Sequence, residues 1–182
     1  MLRPQQEDVP SGRRHPTIAV MSDSNPRALY AGTFDPMTLG HLDLIQRGVK
    51  LFGSLLVAVA ENRSKVPMFT PEERVQMIRD EVGDLPVEVV CFDGLVVDEA
   101  RNRGISILLR GVRTFTDFEY EYPMAMTNRR LNEDIESVFV MPNELYAYVS
   151  SRLIKEVYAG GGEIQQFLPP AIHTALKKRL TS

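Results

Sequence analysis

Long apolar runs are missing from this 182-residue chain. The longest, Leu55 to Ala60, falls far short of the roughly 18–20 residues that a membrane span needs, so no transmembrane helix is expected. Cysteine is nearly absent too: Cys91 stands alone, which excludes a disulfide within the chain. It lies in Val89-Val90-Cys91-Phe92 and reads as a buried, inert thiol of a cytoplasmic protein. Nor is there a surplus of positive charge. Twenty-four acidic against twenty-one basic residues give a net charge of −3 and a pI near 5.7, with no global basic field to hold a nucleic-acid backbone. What remains is ordinary for one globular domain: 43% apolar and 25% charged residues.

The first 27 residues carry Pro, Ser, Arg, Gln and Asp with one short apolar patch, Thr17 to Met21, and are expected to form a disordered tail. No apolar core of about 7–15 residues follows the basic positions and no small-residue cleavage site appears, so this is not read as a secretory leader. Met21 offers an alternative start that would leave residues 1–20 outside the working protein.

From residue 28 to 182 the chain reads as a single domain in which short apolar runs alternate with helical patterns, the sequence sign of βαβ units. Strands are expected at 28–31, 55–60, 87–92, 105–110 and 137–141. Leu42, Ile45, Val49 and Phe52 recur at i, i+3, i+7 and i+10 along one helix face, which Gly53 then ends. Thr70-Pro71-Glu72-Glu73 combines an N-cap, a proline at the first helical position and a glutamate three residues after the cap, with Val75, Ile78 and Val82 inward. Further helices are expected at 98–103, 116–131, 150–159 and from Pro170. Pro123 inside the long helix predicts a kink or a later start. The whole predicts an α/β, Rossmann-like, doubly wound parallel sheet of about five strands, with ligands at the strands' carboxyl ends.

The loop after the first strand reads Gly32-Thr33-Phe34-Asp35-Pro36-Met37-Thr38-Leu39-Gly40-His41. Gly32 permits close approach of a ligand to the backbone, Asp35-Pro36 turns the chain, and Gly40-His41 opens a helix whose first amides attract anions. A phosphate-binding corner is expected there. These residues resemble the signature of the bacterial phosphopantetheine adenylyltransferases, within the nucleotidyltransferase superfamily. The superfamily pattern is His-x-Gly-His, and its first histidine is here Thr38, as in the phosphopantetheine branch. The resemblance runs over roughly residues 28–180 through four further blocks.

In Asn62-Arg63-Ser64-Lys65-Val66-Pro67-Met68-Phe69, the resemblance implies that Lys65 binds the phosphorylated substrate and the migrating charge. In Asp93-Gly94-Leu95-Val96-Val97 it implies that the backbone near Val96 holds the pantetheine arm, although apolar packing accounts for Val96 equally well. Leu108-Leu109-Arg110-Gly111-Val112-Arg113 sets two arginines at a strand end, where burial demands an anionic partner. By resemblance Arg110 holds the acceptor phosphate and Gly111, Val112 and Arg113 contact ATP; a salt bridge within the protein is the other reading of both arginines. Glu121 is implied at the nucleotide. Tyr146, Ala147, Tyr148, Val149, Ser150, Ser151 and Arg152 resemble the superfamily's second nucleotide motif, with Ser150 or Ser151 capping a helix that faces the β- and γ-phosphates. Plain capping without a ligand is the alternative.

The implied reaction joins ATP to 4′-phosphopantetheine and releases pyrophosphate. The acceptor phosphate, with a second pKa of about 6, is already largely dianionic, so no general base is required and in-line attack on the α-phosphorus becomes a matter of positioning. Thr33, Phe34 and His41 are expected at ATP, with Thr33, His41 and Lys65 catalytic. Thr33, Lys65, Val96 and Arg110 are expected at the acceptor. Mg²⁺ would arrive with ATP. Other branches use nicotinate mononucleotide or glycerol phosphate as acceptor; Lys65 with Pro67-Met68-Phe69, and the block 110–113, favour pantetheine. A degenerate nucleotide sensor would have lost His41 or a basic position, and none is lost. The resemblance also implies a homohexamer, with neither nucleic acid nor membrane as partner.

Overall fold

The computed structural model describes residues 27–61 and 67–180. The expected tail up to residue 26, with the alternative start at Met21, and the segment 62–66 with Arg63 and Lys65 lie outside the described residues.

Five parallel strands form one sheet: β1 (Arg27–Gly32), β2 (Ser54–Ala60), β3 (Val87–Phe92), β4 (Ile107–Gly111) and β5 (Glu136–Val140), in the order β3-β2-β1-β4-β5. Crossovers run through α1 (Leu39–Phe52), α2 (Pro71–Val82), α3 (Val96–Asn102) and α4 (Phe115–Leu131); α5 (Ser151–Ala159) and α6 (Pro170–Leu180) follow. Strand side chains alternate between faces, so β1 and β2 feed two cores. Tyr30, Leu55, Val57 and Val59 join Ile45 of α1, Ile78 of α2, Ile154 of α5 and Ile172 of α6. Leu29, Leu56 and Ala58 face Val97 and Ala100 of α3 on the other side. Helices on both faces make the sheet doubly wound, as the residue pattern predicts.

Several expectations shift. Arg27 opens β1 rather than closing a tail, and its guanidinium pairs with Glu88 of β3. The strand expected at 105–110 begins two residues later, because Gly104 at φ +63 and the buried Ile105 complete the turn out of α3. α3 starts at Val96, not residue 98. α4 starts at Phe115 and continues through Pro123, so of the kink or later start expected, the later start does not occur. Proline leaves the Glu119 carbonyl without its helical donor, but both residues are exposed and water can serve it. Cys91 is exposed, not buried: it shares its face with the buried Val89, but β3 is an edge strand and Cys91 lies near its carboxyl end, where its thiol contacts Glu61. Partial burial, with Glu61 second, pushes the thiol up to about 11, so it stays protonated.

The sheet reverses its winding between β1 and β4, and α1 packs directly over this junction. A Cβ on Gly111 would collide with Leu44 of α1, and one on Gly48 would lie 2.7 Å from Leu109 Cδ2 and 3.2 Å from Leu55. Gly48→Ala should therefore lower stability by about 1 kcal/mol. The ~1 kcal/mol gained in helix propensity is outweighed by the ~1–3 kcal/mol of overpacking. Urea denaturation checks the sign: a higher midpoint would show that α1 can shift away from the sheet.

Candidate active site

The crevice lies at the carboxyl ends of β1 and β4, where an open α/β sheet leaves room for a ligand. Thr38 caps α1. Its Oγ1 accepts from the His41 backbone N–H at 3.3 Å, while the Thr38 N–H donates to His41 Nδ1 at 3.0 Å. This is a capping box with histidine at the position usually held by Glu or Gln. Because Nδ1 accepts, the neutral ring carries its proton on Nε2, which becomes a donor. Burial, reinforced by the Arg113 guanidinium, pushes His41 down to about 4, so the ring is neutral at pH 7. Phe34 meets His41 edge-on at 5.1 Å between ring centroids and Tyr30 at 5.4 Å, which fixes the imidazole plane.

Asp35 does more than turn the loop. Its buried carboxylate accepts from the backbone N–H groups of Met68 and Phe69, each at 3.0 Å, and pairs with Lys155 of α5 at 2.7 Å. Burial alone would raise its pKa; the Lys155 ammonium and the two amides outweigh that and hold it below the ordinary carboxylate value. Ser151 adds a second tie to this loop, its hydroxyl donating to the Pro36 carbonyl at 2.7 Å.

Arg110 of β4 and Arg113 just beyond it both have carboxylate partners. Arg110 grips Glu121 through Nε at 2.7 Å and Nη2 at 2.5 Å, with Nη1 on the Ala31 carbonyl at 3.1 Å. Arg113 binds both oxygens of Asp117, at 2.9 and 3.2 Å, and reaches the Val149 carbonyl at 2.7 Å. Of the two readings, the structure shows the salt bridge within the protein for both arginines. Ser150 caps α5, its Oγ accepting from Leu153 N–H at 3.1 Å. Arg152 is largely exposed and pairs with Glu156.

Three hollows join along this edge. His41, Arg113, Glu121, Ser150 and Ser151 are common to the first two; Tyr30, Arg110, Gly111, Tyr146 and Val149 complete one, and Thr33, Phe34, Asp35 and Arg152 the other. The third shares Ala31, Gly32 and Arg110 with the first and extends over Phe92, Val96, Met124 and Asn128. Nearly all the expected residues that are described therefore converge. Three side chains do not. Val112 alternates away from Gly111 and Arg113 and faces Phe115 and Phe118. Tyr148 is 62% exposed beside Phe167, and Ala147 follows the 3₁₀ turn Glu144–Tyr146 outside the hollows. Lys65 lies outside the described residues.

Sequence reasoning missed Lys155 and Arg74. Arg74 is 1% exposed, and a signal existed: it stands at i−4 and i−8 from the inward Ile78 and Val82.

The cytidylyltransferase-like family model matches residues 29–157. A phosphopantetheine adenylyltransferase of Anaeromyxobacter dehalogenans is 52% identical over 157 residues, covering 86% of this chain and 96% of the relative. One of Zymomonas mobilis is 44% identical over 169 residues, with coverages of 90% and 95%. The chain belongs to the phosphopantetheine adenylyltransferase family. Among solved structures, the bifunctional NMN adenylyltransferase/ADP ribose pyrophosphatase of Francisella tularensis superposes with a TM-score of 0.67 at 14% identity, covering 87% of this chain and 51% of that one. A Vibrio parahaemolyticus structure gives a TM-score of 0.63 at 15% identity, with coverages of 85% and 93%. Both share the fold. The segment 31–41 that resembles the family signature is thus the capped loop and helix start just described, and the segment 146–152 leads into the start of α5.

Among the described residues no three His, Cys, Asp or Glu side chains gather into a cation site, and no described helix is long and apolar enough to cross a membrane. The crevice carboxylates Asp35, Asp117 and Glu121 are each engaged by a cation.

The His41 geometry carries a pH signature. With the folded pKa depressed below the unfolded value near 6.5, the unfolded chain binds the proton first, and this contribution to stability falls as pH drops from about 6.5 towards about 4. The His41 ring resonances should accordingly stay constant from pH 8 to 5.5. An NMR titration with a midpoint near 6.5 would show that the ring is solvated and the capping box open.

Proposed function

We propose that this crevice transfers the adenylyl group of ATP to 4′-phosphopantetheine, giving dephospho-coenzyme A and pyrophosphate, the penultimate step of coenzyme A synthesis. The observation that carries the reading is the convergence of a neutral His41 with its Nε2–H donor, two arginines and the N-terminus of α5 on one sheet edge. The names of the relatives support it.

The roles follow from charge. His41, Thr33 and the Phe34 backbone hold the α-phosphate. Arg113, Ser150, Ser151 and Arg152 receive the departing pyrophosphate at the start of α5, where helix amides favour negative charge. Glu121, Tyr146 and Val149 wall the nucleotide side. Arg110 and Lys65 take the acceptor phosphate, and the hollow beyond Arg110, walled by Phe92, Val96, Met124 and Asn128, suits the slender pantetheine arm, with its methyls and amides, better than the ribose and base of a nucleotide acceptor. Magnesium carried on ATP would supply charge neutralisation on the triphosphate, beside Arg113 and the start of α5. The protein supplies orientation: two anions that repel must be held in line while charge moves onto pyrophosphate.

The reading extends to assembly. Phe115 is 90% exposed and Met141 78%, and Phe118, Tyr122 and Met126 of α4 are exposed too. An unpartnered apolar helix face of this kind supports a homo-oligomer, which we take to be a homohexamer in the cytoplasm.

The purified protein should release pyrophosphate only when ATP and 4′-phosphopantetheine are both present, and pantetheine lacking its phosphate should be inert. Arg110→Ala should raise KM for phosphopantetheine by about 1.5–3 kcal/mol with a smaller effect on ATP, and Arg113→Ala should show the reverse bias. Steady-state kinetics with each substrate varied check this. Equal effects of each variant on both substrates would make the arginines structural, and turnover of unphosphorylated pantetheine would overturn the acceptor assignment.

A further inference from the structure

Arg74 is a buried cation that the roles above do not use. Its Nη1 donates to the Thr33 carbonyl at 2.6 Å and the Ala60 carbonyl at 3.1 Å, and its Nε to the carbonyls of Phe69 at 3.1 Å and Thr70 at 3.3 Å. Among the described residues no carboxylate pairs with it. An ion held without a counter-ion is costly, so four carbonyls at the ends of β1, β2 and the turn before α2 are a specific arrangement rather than incidental packing.

One of those carbonyls sits at a strained place. Phe34, the next residue, has φ +51, a left-handed conformation that a bulky side chain rarely adopts and that costs of order 1–3 kcal/mol. In a trans peptide the N–H points opposite to the C=O. Whatever fixes the Thr33 carbonyl therefore fixes the direction of the Phe34 N–H, for which the described residues supply no acceptor.

We infer that Arg74 is a positioning residue for adenylyl transfer: by gripping the Thr33 carbonyl it holds the Thr33–Phe34 peptide so that the Phe34 N–H faces the α-phosphate. This rests on the proposed placement of ATP. Arginine suits the task because its fork reaches Thr33 and Ala60 on one nitrogen and Phe69 and Thr70 on another, whereas lysine offers a single point of charge.

Arg74→Lys keeps the charge and removes the fork. At a temperature where the variant is folded, kcat should fall about 10- to 100-fold while KM for ATP and for phosphopantetheine stays within about threefold, the signature of a lost donor to transition-state charge. The ³¹P resonance of the α-phosphorus of bound ATP should move relative to the wild type, with the β and γ resonances unchanged. A kcat within twofold of the wild type, or an unmoved α resonance, would overturn the inference and leave Arg74 a packing residue. If the variant does not fold, amide hydrogen exchange on the unmutated chain decides: ATP should slow exchange of the Phe34 N–H at least about tenfold, and unchanged exchange overturns the inference. A wild-type protein that releases no pyrophosphate refutes the proposed function instead, whatever Arg74 does.

Discussion

Asp35 is where three separate stretches of chain are joined. Its carboxylate takes two backbone amides from the turn before α2 and the ammonium of Lys155 from α5, and so ties the loop after β1 to elements far away in sequence. The tie matters for the proposed role of that loop at the α-phosphate, because a loop free to move would spend binding energy on ordering itself. Ser151 and Arg74 brace the same loop through the Pro36 and Thr33 carbonyls. The Thr38–His41 cap then converts a braced loop into a fixed imidazole. Rigid supports of this kind are what preorganised electrostatic stabilisation requires.

Cations of the crevice are matched by carboxylates of the chain itself. Arg110 is matched by Glu121, Arg113 by Asp117 and Lys155 by Asp35. Partly buried arginines without counter-ions would be costly, and the carboxylates remove that cost while holding each guanidinium flat and aimed. A phosphate that binds Arg110 or Arg113 must share the guanidinium with the resident carboxylate, so the net attraction is smaller than the count of cations suggests. This favours discrimination: a ligand needs several negative oxygens at the right places, as a triphosphate and a phosphomonoester provide.

The fold was legible because its periodicities are strong. Alternating apolar runs located all five strands to within two residues, and the Thr70-Pro71 cap located α2, since these features depend on local chemistry. The loop from Gly32 to His41 was legible for the same reason, its glycines, proline and cap being adjacent in sequence. What escaped depends on side-chain partners and burial. The partners of Arg110 and Arg113 were open between ligand and protein; Asp117 stands only four residues after Arg113, but residue type alone does not tell an ion pair from a ligand contact, and Glu121 reaches Arg110 only because α4 returns to the end of β4. Arg74 was not singled out, although its spacing from Ile78 and Val82 marks an inward position. Cys91 was misread because an apolar run does not say whether its strand lies at the centre or the edge of the sheet.

The account turns on a single displacement in which the acceptor phosphate itself attacks the α-phosphorus. His41, the one imidazole in the described crevice, presents a proton on Nε2 and has Nδ1 engaged by Thr38, so it offers no lone pair with which to form a covalent adenylyl intermediate. Stereochemistry at phosphorus tests this most directly. With ATP made chiral by sulfur at the α-phosphorus, a single in-line transfer to 4′-phosphopantetheine inverts the configuration in the dephospho-coenzyme A product, and that is the predicted result. Retention would mean two successive displacements through an enzyme-bound adenylyl group, and would contradict the account.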